Sequence, residues 1–155
     1  MLKILVQKWD QNKNKLEKFL REESGLNTCC YKDLVKATFE NIYNDGTNTK
    51  YDRYKLDVEQ ITEIDNGDYQ GTLLFLIPFE TYQPSEYDYL MTYVGYGSCS
   101  GCDTLQAIQD YTDDKLSDSQ IPSFMTLCKD ILSNTIKPYN CGWREEEEFT
   151  HADFN

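Results

Sequence analysis

Cys99 and Cys102 stand three residues apart in Ser98-Cys99-Ser100-Gly101-Cys102-Asp103, and two sulfurs at this spacing can do more than one kind of chemistry. As thiolates they can both reach one zinc ion at about 2.3 Å and supply half of a tetrahedral site. As a dithiol they can pass through a disulfide, the more readily where a helix start stabilises a thiolate. The surrounding Gly97, Ser98, Ser100 and Gly101 can also turn backbone N–H groups toward one point and hold an anion. A plainer reading is that glycine and serine make a tight strand-to-helix turn while the cysteines fill the space beneath it.

Each chemical reading meets a counterweight. The second half of a zinc site is poorly supplied: the one histidine, His151, lies near the C-terminus, and Cys29, Cys30, Cys128 and Cys141 form no second C-x-x-C pair. A thioredoxin-like dithiol needs further strands after its helix, whereas here only helix and tail are expected. No lysine or arginine lies near the motif in sequence to favour an anion, and Asp103 repels one. No catalytic or metal-binding residue is therefore assigned; zinc at Cys99 and Cys102 stays as the alternative cofactor. Without a Ser/His/Asp arrangement, an enzyme would have to use Cys99 and Cys102 or unplaced carboxylates.

The elements that position this motif follow from periodicity. Apolar residues Trp9, Leu16, Phe19 and Leu20 share one face of a helix from Trp9 to Glu22, with lysine and glutamate opposite. A second helix runs from Tyr31 to Tyr43 with Leu34, Val35, Thr38, Phe39 and Ile42 inward, and Asp45-Gly46 stops it. Lys55 to Ile64 alternates as a strand with Leu56, Val58 and Ile64 inward. Asp65-Asn66-Gly67-Asp68 turns the chain, because Asn-Gly tolerates positive φ. Tyr69 to Ile77 is apolar on both faces and therefore central, ending at Pro78. A third strand, Tyr87 to Tyr96, carries Tyr87, Tyr89, Met91 and Tyr93 on one face and Leu90, Val94 and Tyr96 on the other.

This strand leads into the cysteine motif, and Asp103-Thr104-Leu105-Gln106 then reads as a capping box opening a helix. A last helix from Gln120 to Ile136 buries Ile121, Phe124, Met125, Cys128, Ile131, Leu132 and Ile136, with Lys137-Pro138 as its stop. The expected fold is α+β: two N-terminal helices, a three-stranded antiparallel meander, and C-terminal helices packed on the sheet. It forms one domain over 1–137 with an acidic tail over 138–155, where Trp143 and Phe149 flank a run of glutamates.

At 155 residues the chain can bury a sizeable core without disulfides. It begins without a secretory-type apolar run and contains no window of roughly 18 apolar residues. The expectation is a cytoplasmic protein with reduced thiols and no membrane span. Its net charge of −12 is segregated, with +3 over residues 1–36 and −15 over the remainder. Such a field repels nucleic acid and favours basic partner surfaces, although acidity also serves plain solubility.

The blocks Gln7-Lys8-Trp9, Asn12 to Glu17, Asp65 to Thr72, Tyr82-Gln83-Pro84-Ser85 and Tyr96 to Gln106 together form a pattern, joined by Met125-Thr126-Leu127. In these blocks the chain resembles a group of uncharacterised phage and prophage-encoded proteins, with related sequences in bacteria. The resemblance covers most of the chain to about residue 137 and implies a genomic setting rather than a reaction. With the acidity and the lack of a catalytic constellation, that setting favours a host-takeover or counter-defence protein, acting in the host cytosol on a host protein with a basic surface, such as a nuclease; the alternatives are a phage accessory module with a zinc site at Cys99 and Cys102, or a small enzyme using those cysteines or carboxylates. The expected contact residues are Glu80, Tyr82, Glu86, Tyr87 and Asp88, together with the corner Tyr96, Gly97, Ser98, Cys99, Gly101, Cys102 and Asp103.

Overall fold

The computed structural model describes residues 2–47 and 55–137. Its elements are helices α1 (Leu2–Glu22) and α2 (Tyr31–Ile42), strands β1 (Thr62–Asp65), β2 (Gly71–Pro78) and β3 (Tyr89–Tyr96), and helices α3 (Thr104–Ile108) and α4 (Ile121–Ser133). The sheet is antiparallel in the order β1-β2-β3, so the expected α+β meander is present. The expected tail, 138–155, with Cys141, Trp143, Phe149 and His151, lies outside the described residues, as does Pro138.

Helix α1 starts earlier than its apolar stripe suggests, because Leu5 is buried one turn before Trp9 and extends the same face. The polar face is not all solvated. Lys8 is buried, and its ammonium lies 2.8 Å from Asp45 Oδ1 and over the Tyr43 ring. Asn12 donates to the other oxygen of Asp45. The pair thus ties α1 to the turn that ends α2, where Gly46 takes the left-handed φ of +83° expected of a helix stop.

Helix α2 opens at Cys30, which caps it as a serine would. Asp33 accepts from the Cys30 N–H at 3.0 Å and from its thiol at 3.2 Å. Leu34, Val35, Thr38, Phe39 and Ile42 are all buried, as their spacing predicts.

The expected strand Lys55 to Ile64 is broken. Leu56 bridges Phe79, a 3-10 turn takes Val58–Gln60 out of the ladder, and pairing resumes at Thr62 opposite Leu76. The cause is the spacing of the buried side chains Leu56, Val58 and Ile61: the last step is odd, so a regular strand would turn Ile61 outward. Asp57 supports the detour by accepting from the Glu59 N–H. Ile64, expected inward, is 44% exposed, because β1 is a short edge strand with both faces open.

The following turn also differs from expectation. Gly67 does not adopt positive φ; Asp65 accepts from its N–H, and Asn66 accepts from the Thr72 N–H. Glycine is needed at Gly67 for closeness instead, since a Cβ would stand 2.2 Å from the Gln70 carbonyl oxygen.

In β2 and β3 the alternation holds. Phe75, Ile77, Leu90, Thr92 and Val94 are buried under the helices. Leu74, Leu76, Tyr89, Met91 and Tyr93 lie on the opposite face, half-buried except for the exposed Tyr93. Helix α4 ends at Ser133 rather than Ile136: Asn134 turns to donate to the Tyr93 carbonyl, and Ile136 pairs with Met91 as an added bridge on β3. Ile136 is therefore exposed, and Leu127 takes a place in the buried stripe beside Ile121, Phe124, Cys128, Ile131 and Leu132, with Met125 half-buried.

Candidate functional site

The two groups of expected contact residues sit at opposite ends of β3. Its eight residues span roughly 23 Å at the usual strand rise, with the cysteine corner at one end and the 80–88 loop at the other. They therefore form two sites, not one.

At the corner, Asp103 is buried and holds the junction together. One carboxylate oxygen accepts from the Gln106 N–H at 2.9 Å and the Tyr31 hydroxyl at 3.1 Å, and the other from the Gly97 N–H at 3.0 Å. Half of the expected capping box is thus present. The other half is replaced, because the Gln106 side chain donates to the Gly97 carbonyl instead of reaching back to the cap. The Tyr31 hydroxyl also accepts from the Leu105 N–H, and burial, partly offset by that bond, raises its pKa to about 12. Nothing in the sequence near Tyr31 signals this role, since α2 and the corner are 72 residues apart.

On this frame the two thiols are exposed. Their sulfurs are 2.8 Å apart; the Cys99 N–H donates to Cys102 Sγ at 3.1 Å, and the Cys102 N–H closes the turn onto the Cys99 carbonyl at 3.0 Å. Gly97 is buried against them, with no room for a Cβ, which would stand 2.6 Å from Cys102 Sγ. The hydrogen bond from Cys99 lowers the Cys102 pKa against a smaller opposing effect of desolvation. Three other thiols go the opposite way: burial pushes Cys29 and Cys128 up to about 12, and burial also raises Cys30. Cys128 is a core residue, as expected. Among the described residues, no group of three or more histidine, cysteine or acidic side chains is placed to hold a metal ion.

Tyr96 belongs to neither exposed surface in the way expected. Its hydroxyl donates to Asp65 at 2.7 Å, which raises its pKa to about 12 and fastens β3 to the β1–β2 turn. Ser98 and Gly101 are exposed on the turn itself.

The second site is the loop between β2 and β3. Asp88 accepts from both the N–H and the hydroxyl of Ser85, at 2.9 and 2.7 Å. The Phe79 N–H donates to the Asp88 carbonyl, and the Glu80 N–H to that of Lys55. Asp88 is thus a structural residue and not a free contact charge. The loop it braces exposes Tyr82 fully and Tyr87 by 41%, flanked by the exposed carboxylates of Glu80 and Glu86. Glu80 lies 3.6 Å from Lys55, a surface pair of little energetic weight. Among the described residues, no helix is long and apolar enough to cross a membrane. No protein family, curated protein or solved structure matches the chain.

Proposed function

We propose that the chain is a small acidic binding protein that occupies a basic surface of another protein through the 80–88 loop and the adjoining outer face of the sheet. The observation that carries this reading is the braced loop that holds Tyr82 and Tyr87 out in solvent between Glu80 and Glu86. Tyrosines presented on a fixed backbone give large contact area at small entropic cost, and acidic neighbours select a basic partner. Tyr89 and Tyr93 continue the same surface along β3, and Ile64, Leu74 and Met91 supply its apolar floor. The charge of −12 speaks against nucleic acid as the direct ligand and for a protein that itself grips phosphate.

Together with the resemblance to phage and prophage proteins, this makes the chain a counter-defence inhibitor of the anti-CRISPR or anti-restriction type, working in the host cytosol on a nuclease or another nucleic-acid-binding effector. The test is direct titration against purified restriction and RNA-guided nucleases, with displacement of their nucleic acid as the readout. Binding should weaken about tenfold or more as salt rises from roughly 50 to 200 mM, as screening shortens the reach of the charges. The double substitution Glu80→Gln, Glu86→Gln and the single Tyr82→Ala should each weaken it, with folding unchanged. Asp88 is left intact because its loss would collapse the loop. Absence of binding to every nuclease tried, or binding indifferent to salt and to these substitutions, overturns the reading.

A further inference from the structure

We propose that Cys99 and Cys102 form a dithiol that exchanges with small disulfides, closing to an intramolecular disulfide on the turn after β3. The geometry is already close to that product. The sulfurs stand 2.8 Å apart, the backbone between them is closed by its own hydrogen bond, and the bond itself requires approach to roughly 2.05 Å. Both thiols are exposed, so a disulfide reagent can reach them. The rest of the corner need not move, because Asp103 fixes Gly97, Gln106 and Tyr31 independently of either sulfur.

The contrast with the other described cysteines is chemical as well as spatial. Cys128 is sealed in the core and Cys29 is half-buried, each held as a thiol by burial, while the Cys30 thiol donates to Asp33 as a cap. Cys102, by contrast, is shifted toward the thiolate, the reactive form. No thioredoxin-like fold is required: among the described residues the chain runs on from α3 to α4 and adds the Ile136 bridge to the sheet, and the chemistry stands on the turn alone.

The exchange balances as follows. The Cys102 thiolate attacks one sulfur of glutathione disulfide, forming a mixed disulfide and expelling one glutathione thiolate. Cys99 gives up its proton and attacks Cys102 Sγ; the Cys99–Cys102 bond forms, the mixed bond breaks, and the second glutathione thiolate leaves. The two leaving thiolates take up the two protons the cysteines lost. The protein dithiol is oxidised by two electrons, and one disulfide is reduced to two thiols.

Trypsin isolates the site cleanly, because residues 56–115 lie between consecutive cleavage positions and contain Cys99 and Cys102 but no other cysteine. The native protein is equilibrated in a series of glutathione redox buffers, alkylated, digested and weighed. The 56–115 peptide should lose both labels together in a single two-electron transition, while peptides bearing Cys29, Cys30 and Cys128 keep theirs. Cys99→Ser should trap Cys102 as a mixed disulfide with glutathione, and Cys102→Ser should react at least about tenfold more slowly. Several outcomes overturn the proposal: both cysteines stay labelled at every ratio, each forms its own mixed disulfide without closing, or the two variants react at equal rates. Protection of both thiols by one equivalent of zinc, reversed by chelator, also overturns it in favour of a metal site.

Discussion

Lys8 shows how much a single residue can depend on its surroundings. On a helical wheel it stands at the border of the apolar face of α1, beside Phe19, and the ammonium it carries is buried against Asp45, Asn12 and the Tyr43 ring. Asp45 is held well below the usual carboxylate range: burial works upward, but Lys8, Thr47 and Asn12 outweigh it. A carboxyl depressed in the folded state contributes stability that is complete above the unfolded value of about 4 and drains away as pH falls through and below it. Lys8→Met, which leaves the carboxylate buried without its partner, should cost about 3–5 kcal/mol at neutral pH. Denaturant titrations should show the gap between variant and parent narrowing as pH falls below about 4, because the unfolded chain protonates Asp45 there while the parent's folded carboxyl stays ionised. A gap independent of pH would mean that the lysine acts through packing alone.

At the scale of elements, the sheet separates side chains that look alike in sequence. Ile64 and Phe75 both lie in apolar alternation, but β1 is an edge strand with open faces and Phe75 sits beneath the helices. Ile64→Lys should therefore shift folding stability by no more than about 0.5 kcal/mol, whereas Phe75→Ala should cost about 3–5 kcal/mol through the cavity it leaves. Equal losses at the two positions would show that β1 is covered in solution. The existence, order and pairing of the strands were legible from the polar turn and the apolar run of β2. The 3-10 detour at Val58–Gln60 was not, because it is set by which core pocket Ile61 fills.

For the whole molecule, charge is the governing quantity. Like charges on a −12 surface repel in the compact state, and added salt screens them within a Debye length. The melting temperature at pH 7 should therefore rise between roughly 10 and 200 mM sodium chloride, over the range in which the proposed partner binding should weaken. A flat melting temperature would mean that the charges are already compensated locally. The charge also bears on the two candidate sites differently: under the proposed function the tyrosine loop would use it to choose a partner, while the exposed cysteine corner, at the far end of β3, is shaped by local hydrogen bonds.

The sequence by itself determined the helical stripes up to the last turn of α4, the antiparallel meander, the central place of β2 and the strand-to-helix corner at Cys99 and Cys102. These rest on local periodicity and turn chemistry, which neighbouring residues carry in full. Only the tertiary structure decided that Lys8 is buried, that Tyr31 braces a corner 72 residues away, and that Asp88 holds a loop instead of offering a charge. Such assignments depend on which groups meet across the core, and a polar side chain looks the same in sequence whether its hydrogen-bond partner is water or a residue far along the chain.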